Sequence, residues 1–514
     1  MENSRNKGRA AASFLKNLFW GQLSGMALAL PSTRTNSGAH IPHQERDMNC
    51  RWVAIVSLLV LGCGGAPEVI EGASGLDDEF GDGKFDASAI AVFLEFEYDA
   101  ELLTSSCYNV ESAIDEQALY TVGQLNGRKS VGRMDQMTVT NIEKETTEDG
   151  CRVRYHARMP VAWGDRNDIP QEYELILPLD VSRAGTERLV ERYNPSCVYR
   201  WAHDVDAGVF WYYYRPERYN CTLDERDVIR VPVRVGPTGT QTEGKYPEYH
   251  KVWEDETFTV VAIFGKVKDG GDGSDGGVRG YNQFTREVRE TLRNADLTTE
   301  PADIPNEPSL EMPYTRFIGQ LPDGRTADVH AFLIDSVSSA PTSFWEQYEA
   351  LTPTADFIVY NGHSGLGQNV RRLASRGVWS PGQYTLVFMN GCDTYAYIDS
   401  ALANAHAAVN PDDPEGTKHL DIVANAMPSF FRSMPQATMA LLDGLLDYEN
   451  PQTFEDILRD IDPAEVALVT GEHDNVYVPG YVPAEPSPFE GDDTSSDEPS
   501  DEPSDEPNNG GSPF

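Results

Sequence analysis

The pattern of hydrophobic and polar positions changes near residue 256. Beyond it, short and continuously apolar runs alternate with segments whose apolar residues recur at helical spacing, as at Phe284, Val288 and Leu292. Continuously apolar runs are typical of strands that are covered by helices on both faces. Here they include TFTVVAIFG, DFIVY and YTLVFM. Residues 253–480 are therefore predicted to form an α/β domain built on a parallel sheet.

Residues 89–250 carry the shorter period of β-strands. Runs such as AIAVFLEFEY, CRVRYHARMPVAW and VIRVPVRV alternate or cluster β-branched and aromatic residues, and helical signals are scarce. The aromatic run Phe210–Tyr214 is compatible with carbohydrate stacking, but one strand whose rings alternate between core and surface is the favoured interpretation. The chain is thus expected to be multidomain, with an N-terminal all-β, sandwich-like domain.

Both ends of the chain lack this periodicity. Residues 1–47 are interpreted as an incorrectly assigned start before Met48 or as a disordered leader. The glycine- and aspartate-rich residues 64–88 predict a flexible tether. Residues 484–514 repeat SDEP three times from Ser496 to Pro507 and contain no basic residue, which predicts a disordered acidic tail.

Residues 48–63 are typical of a secretory signal. They combine Arg51 with a short apolar run that is well below the about 20 residues of a membrane-spanning helix. The segment LVLGC, which ends at Cys63, resembles the lipobox of bacterial lipoproteins. That resemblance implies cleavage before Cys63, acylation of its thiol and a lipid anchor in the bacterial cell envelope, at the outer membrane or cell surface.

Charge and local motifs narrow the possible partners. The chain has 82 acidic and 41 basic residues, for a net charge of -41, so nucleic acids and anionic lipid surfaces repel it. No His/Cys cluster has zinc spacing and no glycine loop has the context of a phosphate site. The sequence therefore predicts no nucleic-acid partner, no metal and no cofactor.

The cysteines indicate an oxidising compartment. Cys50 leaves with the predicted signal, and Cys63 takes the lipid. Four of the remaining five fall in the predicted β domain: Cys107, Cys151, Cys197 and Cys221. In an exported protein, four such residues predict two disulfides, with three connectivities open. The fifth, Cys392, is then either a buried inert thiol or a reactive one.

A histidine and a cysteine follow two consecutive apolar runs. His363 comes just after DFIVY and Cys392 just after YTLVFM, with room for one helix between them. If the two strands are neighbours, both side chains lie at the carboxyl edge of the sheet, where catalytic groups gather. An imidazole there activates the thiol and later protonates a leaving amine. Amides at the flanking turns, of Ser364 and Gly391, are candidates for holding an oxyanion.

These two elements resemble the caspase, gingipain and legumain group of cysteine peptidases. The family signature is an apolar strand ending in His-Gly and a second ending in a small residue and Cys, matched here by FIVYNGH and LVFMNGC within residues 253–447. Ser364 stands where the family usually has glycine. The resemblance implies a cysteine endopeptidase acting on protein or peptide substrates, with Cys392 as nucleophile and His363 as general base and acid.

In such relatives an acidic residue in the specificity pocket selects a basic side chain. Asp335, after AFLI, and Asp393, beside the nucleophile, are the candidates in this chain. A solvated loop carboxylate or a helix cap is the alternative for each of them.

Two other functions use the same region. GHSGLG is one residue away from the G-x-S-x-G elbow of serine hydrolases, which makes Ser364 a nucleophile and His473 its base. Leu366 replaces the last glycine of that motif, and no HGGG-like segment lies upstream. The other alternative is a non-catalytic binding lipoprotein whose α/β domain is an inactive enzyme.

Overall fold

The computed structural model describes residues 85–202, 204–471 and 477–482. The predicted leader, signal segment, Cys63, acidic tail and most of the tether lie outside these residues. The chain divides into two compact units. The first includes Val92–Gln241 and Tyr395–Ser400, and the second includes Asp86–Ala91, Thr242–Thr394 and the residues from Ala401 on.

The first unit is built on an antiparallel sheet. Strand β1 (Phe85–Ala87) comes first in the chain but belongs to the other sheet. The strands of the first unit are β2 (Val92–Thr104), β3 (Val131–Gly132), β4 (Thr138–Thr147), β5 (Gly150–Trp163), β6 (Glu172–Pro178) and β7 (Val228–Pro237). They are arranged in the order β3-β5-β2-β7-β6, and β4 also pairs with β5. The unit's helices are α1 (Val110–Asn126), α2 (Arg183–Tyr193) and α3 (Phe210–Tyr213).

Most of the predicted strands are present, but the second layer of a sandwich is replaced by helix. Helix α1 packs on the sheet, where Gln117 donates to the carbonyl oxygens of Glu101 (2.9 Å) and Pro178 (2.6 Å) and Tyr155 donates to Gln117 (2.7 Å). The single-strand interpretation of Phe210–Tyr214 is also wrong, because Phe210–Tyr213 forms α3. The all-β expectation missed α1, whose buried face mixes apolar residues with polar and small ones such as Gln117, Thr121 and Gly123 and so gives a weak helical pattern.

The four cysteines of this unit form the two predicted disulfides. Cys107 pairs with Cys151 and Cys197 with Cys221, at Cα separations of 5.1 and 4.7 Å. The first bond joins the segment after β2 to the start of β5. The prediction is confirmed, and the structure selects one of the three connectivities that the sequence leaves open.

The second unit contains the nine-stranded sheet. Its further strands are β8 (Thr257–Gly265), β9 (Asp296–Glu300), β10 (Tyr314–Gln320), β11 (Thr326–Ile334), β12 (Phe357–Asn361), β13 (Thr385–Asn390), β14 (Leu420–Asn425) and β15 (Ala467–Gly471). Its helices are α4 (Tyr249–Val252), α5 (Gly276–Thr291), α6 (Thr342–Leu351), α7 (Gln368–Arg376), α8 (Ala401–Ala407), α9 (Met434–Leu446) and α10 (Phe454–Leu458).

The centre of this sheet is parallel and its margins are antiparallel. The strand order is β1-β15-β14-β13-β12-β8-β11-β10-β9, and the five strands from β14 to β11 run parallel. Strands β10, β9 and β15 pair antiparallel. The α/β prediction is confirmed, whereas the purely parallel sheet is corrected to a mixed one. The last residues of the predicted tether form β1 and extend the same sheet.

The central strands form the core that positions the site. Every residue of β12 and β13 is buried. Helices α5 and α9 pack together, and the apolar stripe of α5 is buried through Phe284, Val288 and their neighbours. At the start of α5, Asp275 caps the helix by accepting from the Gly277 amide at 2.8 Å. The loop between β8 and α5 is thereby fixed above the carboxyl edge of the sheet.

Candidate active site

The two strands that carry the predicted residues are neighbours. Strands β12 and β13 pair parallel, with Asn361 opposite Asn390. Just beyond the strands, the Gly362 amide donates to the Asn390 carbonyl at 3.1 Å. Because both strands end at the same level, His363 and Cys392 leave the same edge of the sheet at equivalent positions.

The turns after these strands touch each other. A Cβ atom on Gly391 would lie 2.7 Å from the Gly362 carbonyl oxygen and 3.3 Å from the Ser364 nitrogen. Both neighbours are backbone atoms and cannot move aside as a side chain does. The glycine before the cysteine is therefore required for close approach of the histidine turn, rather than for an unusual φ angle.

His363 is exposed and held at one ring nitrogen. Its Nε2 lies 3.1 Å from the carbonyl oxygen of Val267, in the loop after β8. Phe431 packs against the ring edge to face, with centroids 5.2 Å apart and planes at 70°. A carbonyl accepts only from a protonated nitrogen, so this contact selects the tautomer with the proton on Nε2 and leaves Nδ1 as an acceptor.

Asn369 fixes the backbone of the histidine turn. Its side-chain amide donates to the His363 carbonyl at 2.5 Å and to the Tyr360 hydroxyl at 3.1 Å, and the residue is 9% exposed. The residue lies at the start of α7 and so connects the helix to the turn. Sequence reasoning missed Asn369, since a polar residue in a helical run gives no signal of what it contacts.

Cys392 lies in neither disulfide and is partly exposed. Its thiol donates to the Ser429 carbonyl at 3.6 Å. Ser429 belongs to the segment 426–433 between β14 and α9, which also carries Phe431, the partner of the His363 ring. One segment thus borders both candidate catalytic side chains, and we call it the covering segment.

Glu465 anchors the covering segment. Its carboxylate accepts from the Ser433 hydroxyl, and its main-chain carbonyl accepts from the Met427 amide at 3.1 Å. Burial raises the pKa of Glu465 above its ordinary value. Both ends of the segment are therefore attached to one buried acidic residue.

Three asparagines lie beneath the edge, at the ends of β12, β13 and β14. Asn390 donates to Asn361 at 2.8 Å, and Asn425 donates to Asn390 at 3.1 Å. The Ser429 hydroxyl also donates to Asn390 at 2.8 Å, which attaches the covering segment to these hydrogen-bonded asparagines. All three are buried. The three asparagines are visible in the sequence as NGH, NGC and ANA, each at the end of an apolar run.

The two predicted oxyanion donors differ. The Gly391 amide donates to the Met389 carbonyl at 3.1 Å, within its own turn. In the described part of the chain, the Ser364 amide donates to no backbone carbonyl. Ser364 is half-buried and precedes a short 3₁₀ turn at Gly365–Gly367. Of the two amides, that of Ser364 is the one left for a bound oxyanion.

The predicted specificity residues do not lie in an open acidic pocket. Asp335 accepts from Lys266 at 2.7 Å and from the Gly270 amide at 3.1 Å. The hydrogen bond from Lys266 lowers the pKa of the Asp335 carboxyl. Asp393 is 0% exposed and has a left-handed φ of 52°. One carboxylate is thus neutralised by a lysine, and the other is covered.

Comparisons with protein-family models, curated proteins and solved structures found no match. Within the described ranges, no group of three His, Cys, Asp or Glu side chains has the geometry to hold a metal ion. No helix in those same ranges is long and apolar enough to cross a bilayer. His473, the base of the serine-hydrolase alternative, lies outside the described residues.

Proposed function

We propose that the second unit is a cysteine endopeptidase domain of the caspase, gingipain and legumain type. Cys392 is the nucleophile, and His363 is the general base and acid. The observation that carries the proposal is the placement of both residues just past adjacent, in-register parallel strands, with one covering segment in contact with both side chains. The chemistry of a thiol and an imidazole at one sheet edge is that of acyl transfer.

The contacts of His363 support a defined role for each nitrogen. With the Nε2 proton held by the Val267 carbonyl, Nδ1 accepts the proton of the Cys392 thiol. The thiolate attacks the peptide carbonyl carbon, and the resulting oxyanion accepts from the Ser364 amide. The imidazolium returns its proton to the leaving amine as the C–N bond breaks. Water then attacks the thioester with His363 as base, which releases the acid and restores the thiol.

We also infer that the protein is exported and anchored to the cell envelope through lipid on Cys63. Two disulfides within the first unit support a compartment outside the reducing cytoplasm. The LVLGC segment supports the anchor. Together they support a peptidase anchored in the cell envelope, at the outer membrane or cell surface, with proteins or peptides as its substrates.

Hydrolysis by three single variants tests the assignment. Cys392→Ala and His363→Ala are each expected to lower kcat on a cleaved peptide by at least about a thousandfold. Ser364→Ala should retain most activity, since the proposal uses only the amide of that residue. Loss of activity in Ser364→Ala together with labelling by a fluorophosphonate would identify the serine hydrolase instead. A wild-type protein that cleaves nothing and whose thiol is unreactive would favour the binding lipoprotein.

A further inference from the structure

The antiparallel sheet of the first unit contains an opening between β2 and β7. The hydrogen-bonded pairing of these two strands ends at Glu97 and Arg234, although both strands continue beyond this pair. In the described part of the chain, residues 98–102 of β2 and residues 229–233 of β7 therefore have no strand partner on the sides that face each other. We call the space between these two stretches the opening.

The chain that follows β6 closes the far end of the opening. The Leu103 amide donates to the Leu179 carbonyl at 2.6 Å, and the Leu179 amide donates to the Asp227 carbonyl at 2.9 Å. Helix α1 packs against one face of the sheet, where Gln117 reaches the Glu101 carbonyl at 2.9 Å. A ligand therefore enters from the other face, which carries exposed charged side chains.

Main-chain groups of β2 face the opening at every second residue. Successive residues of a strand direct their N–H and C=O groups to opposite sides. The Glu101 carbonyl accepts from Gln117 and the Leu103 amide donates to Leu179, so the odd-numbered residues here face away from β5. The N–H and C=O of Asp99 and the N–H of Glu101 accordingly face the opening. An extended peptide presents its own donors and acceptors at this same two-residue spacing.

Strand β7 offers fewer donors to the opening. Because Glu97 and Arg234 lie opposite each other, Pro232 also faces the opening, two residues before Arg234. Proline has no N–H, and within sheets it occurs where that side of the strand has no partner. Strand β2 is therefore the strand along which a ligand pairs.

Two adjoining cavities give the ligand room. One has a volume of about 1340 Å³ and the other of about 500 Å³, and Asp99 and Arg230 line both of them. Together the cavities follow residues 98–101 of β2 and residues 229–233 of β7. The main chain of both strands is thus accessible along most of the opening.

The side chains around the opening favour an uncharged peptide. Its basic and acidic groups contact one another in three pairs: Arg230–Glu174 (2.7 Å), Arg234–Glu97 (2.7 Å) and His156–Asp99 (2.9 Å). The tyrosines that line the cavities are 2% exposed, as Tyr98 and Tyr155 are, or pack against other rings, as Tyr173 does. Sugars stack on exposed ring faces, so this lining favours a peptide over a carbohydrate.

We infer that the opening binds an uncharged, extended peptide segment of a partner protein through main-chain hydrogen bonds to Asp99 and Glu101. This is the addition of a strand to an unpaired strand edge, in which the main chain supplies the affinity. The site lies in the first unit and does not depend on the proposed peptidase function.

Binding of a defined peptide to the full-length protein tests the inference. The probe is a capped fluorescent heptapeptide of alternating threonine and valine, titrated by anisotropy into Cys392→Ala, which prevents cleavage. Two further peptides carry N-methyl groups on all threonine or on all valine amides. At least one of them should bind about tenfold or more weakly, since methylation removes two or more hydrogen bonds.

Variants of the protein locate the site. Asp99→Pro in the same background removes the N–H that faces the opening and should weaken binding about fivefold or more. Asp99→Ala, which also removes the carboxylate but keeps the N–H, is the matched control and should bind like the parent. If Asp99→Pro misfolds, hydrogen exchange in Cys392→Ala gives the answer, because saturating peptide should slow exchange of the Asp99 and Glu101 amides about tenfold or more.

Three results would overturn the inference. They are no binding of the unmodified peptide, equal binding of all three peptides, and unchanged exchange of the Asp99 and Glu101 amides at saturation. Slower exchange of these amides with maltoheptaose but not with the peptide would also overturn it and would identify a carbohydrate site. None of these results depends on whether Cys392 is reactive, so they leave the proposed function to its own test.

Discussion

At the residue scale, Gly391 controls how closely the cysteine turn approaches the histidine turn. Gly391→Ala places a methyl group 2.7 Å from the Gly362 carbonyl oxygen, so one of the two turns must move. We expect activity to fall by at least about tenfold and stability by ~1–3 kcal/mol, as for other overpacked sites. Kinetics and urea unfolding measure both effects. Gly236→Ala, whose Cβ meets nothing within 4 Å, serves as the control, and wild-type kinetics in Gly391→Ala would contradict the tight packing.

The position of the proposed catalytic pair at one edge of the sheet could be predicted from the sequence, because strand ends are visible in it. His363 and Cys392 each follow a continuously apolar run, and parallel strands bring such positions to one edge. Val267, Asn369 and Phe431 could not be predicted, because their roles depend on loop paths that no periodicity encodes.

At the scale of elements, the buried central strands of the nine-stranded sheet could be predicted from the sequence, whereas the strands at its edge could not. Strands β9 and β10 have polar and exposed positions in alternation, so they lack the continuous apolar runs of β12 and β13. Helix α1 was missed because its buried face includes polar and small residues, among them Gly123, where the helix approaches α3 closely. A Cβ there would lie 2.2 Å from the Trp211 carbonyl, and the aromatic contact beside it, between Tyr120 and Phe210, joins segments far apart in the chain.

Asp421 lies near the start of β14, at the edge of the nine-stranded sheet opposite the candidate active site, and makes the stability of the fold depend on pH. Burial raises the pKa of Asp421 from 3.8 to about 7, while Tyr384 donates to its carboxylate at 2.5 Å. The unfolded chain ionises this group above its ordinary pKa, whereas the folded chain keeps the proton until about pH 7. Stability from this group is therefore fully present below pH 3.8 and is lost as the pH rises to about 7.

Asp421→Asn removes the ionisation and keeps an acceptor for Tyr384. We expect the variant to be more stable than wild type by ~1–3 kcal/mol at pH 8, with the difference vanishing near pH 4. Urea unfolding at several pH values measures it. Asp412→Asn, at a side chain that is 70% exposed, should change stability by less than about 0.5 kcal/mol at every pH. A constant difference for Asp421→Asn across the range would refute the buried-carboxyl explanation.

At the scale of the whole molecule, the proposed export and lipidation agree with the two disulfides, which form outside the reducing cytoplasm. Intact mass of the mature protein should show a chain that begins at Cys63 with added acyl groups. Labelling of the denatured mature protein with a thiol reagent, without reductant, should modify Cys392 alone, since Cys107–Cys151 and Cys197–Cys221 are closed. An unacylated Cys63 would exclude the lipoprotein, and a second labelled site would contradict the disulfide assignment.

The reactivity of one thiol tests the central claim most directly. The rate of iodoacetamide alkylation of Cys392 is measured at pH 7 in the native full-length protein, in His363→Ala and in a control, His156→Ala, which removes an imidazole from the first unit. Because a neighbouring imidazole raises the thiolate fraction, Cys392 should react faster than glutathione in the wild-type and control proteins and about tenfold or more slowly in His363→Ala. Equal rates in all three proteins, no faster than glutathione, would show that His363 and Cys392 do not act as a pair.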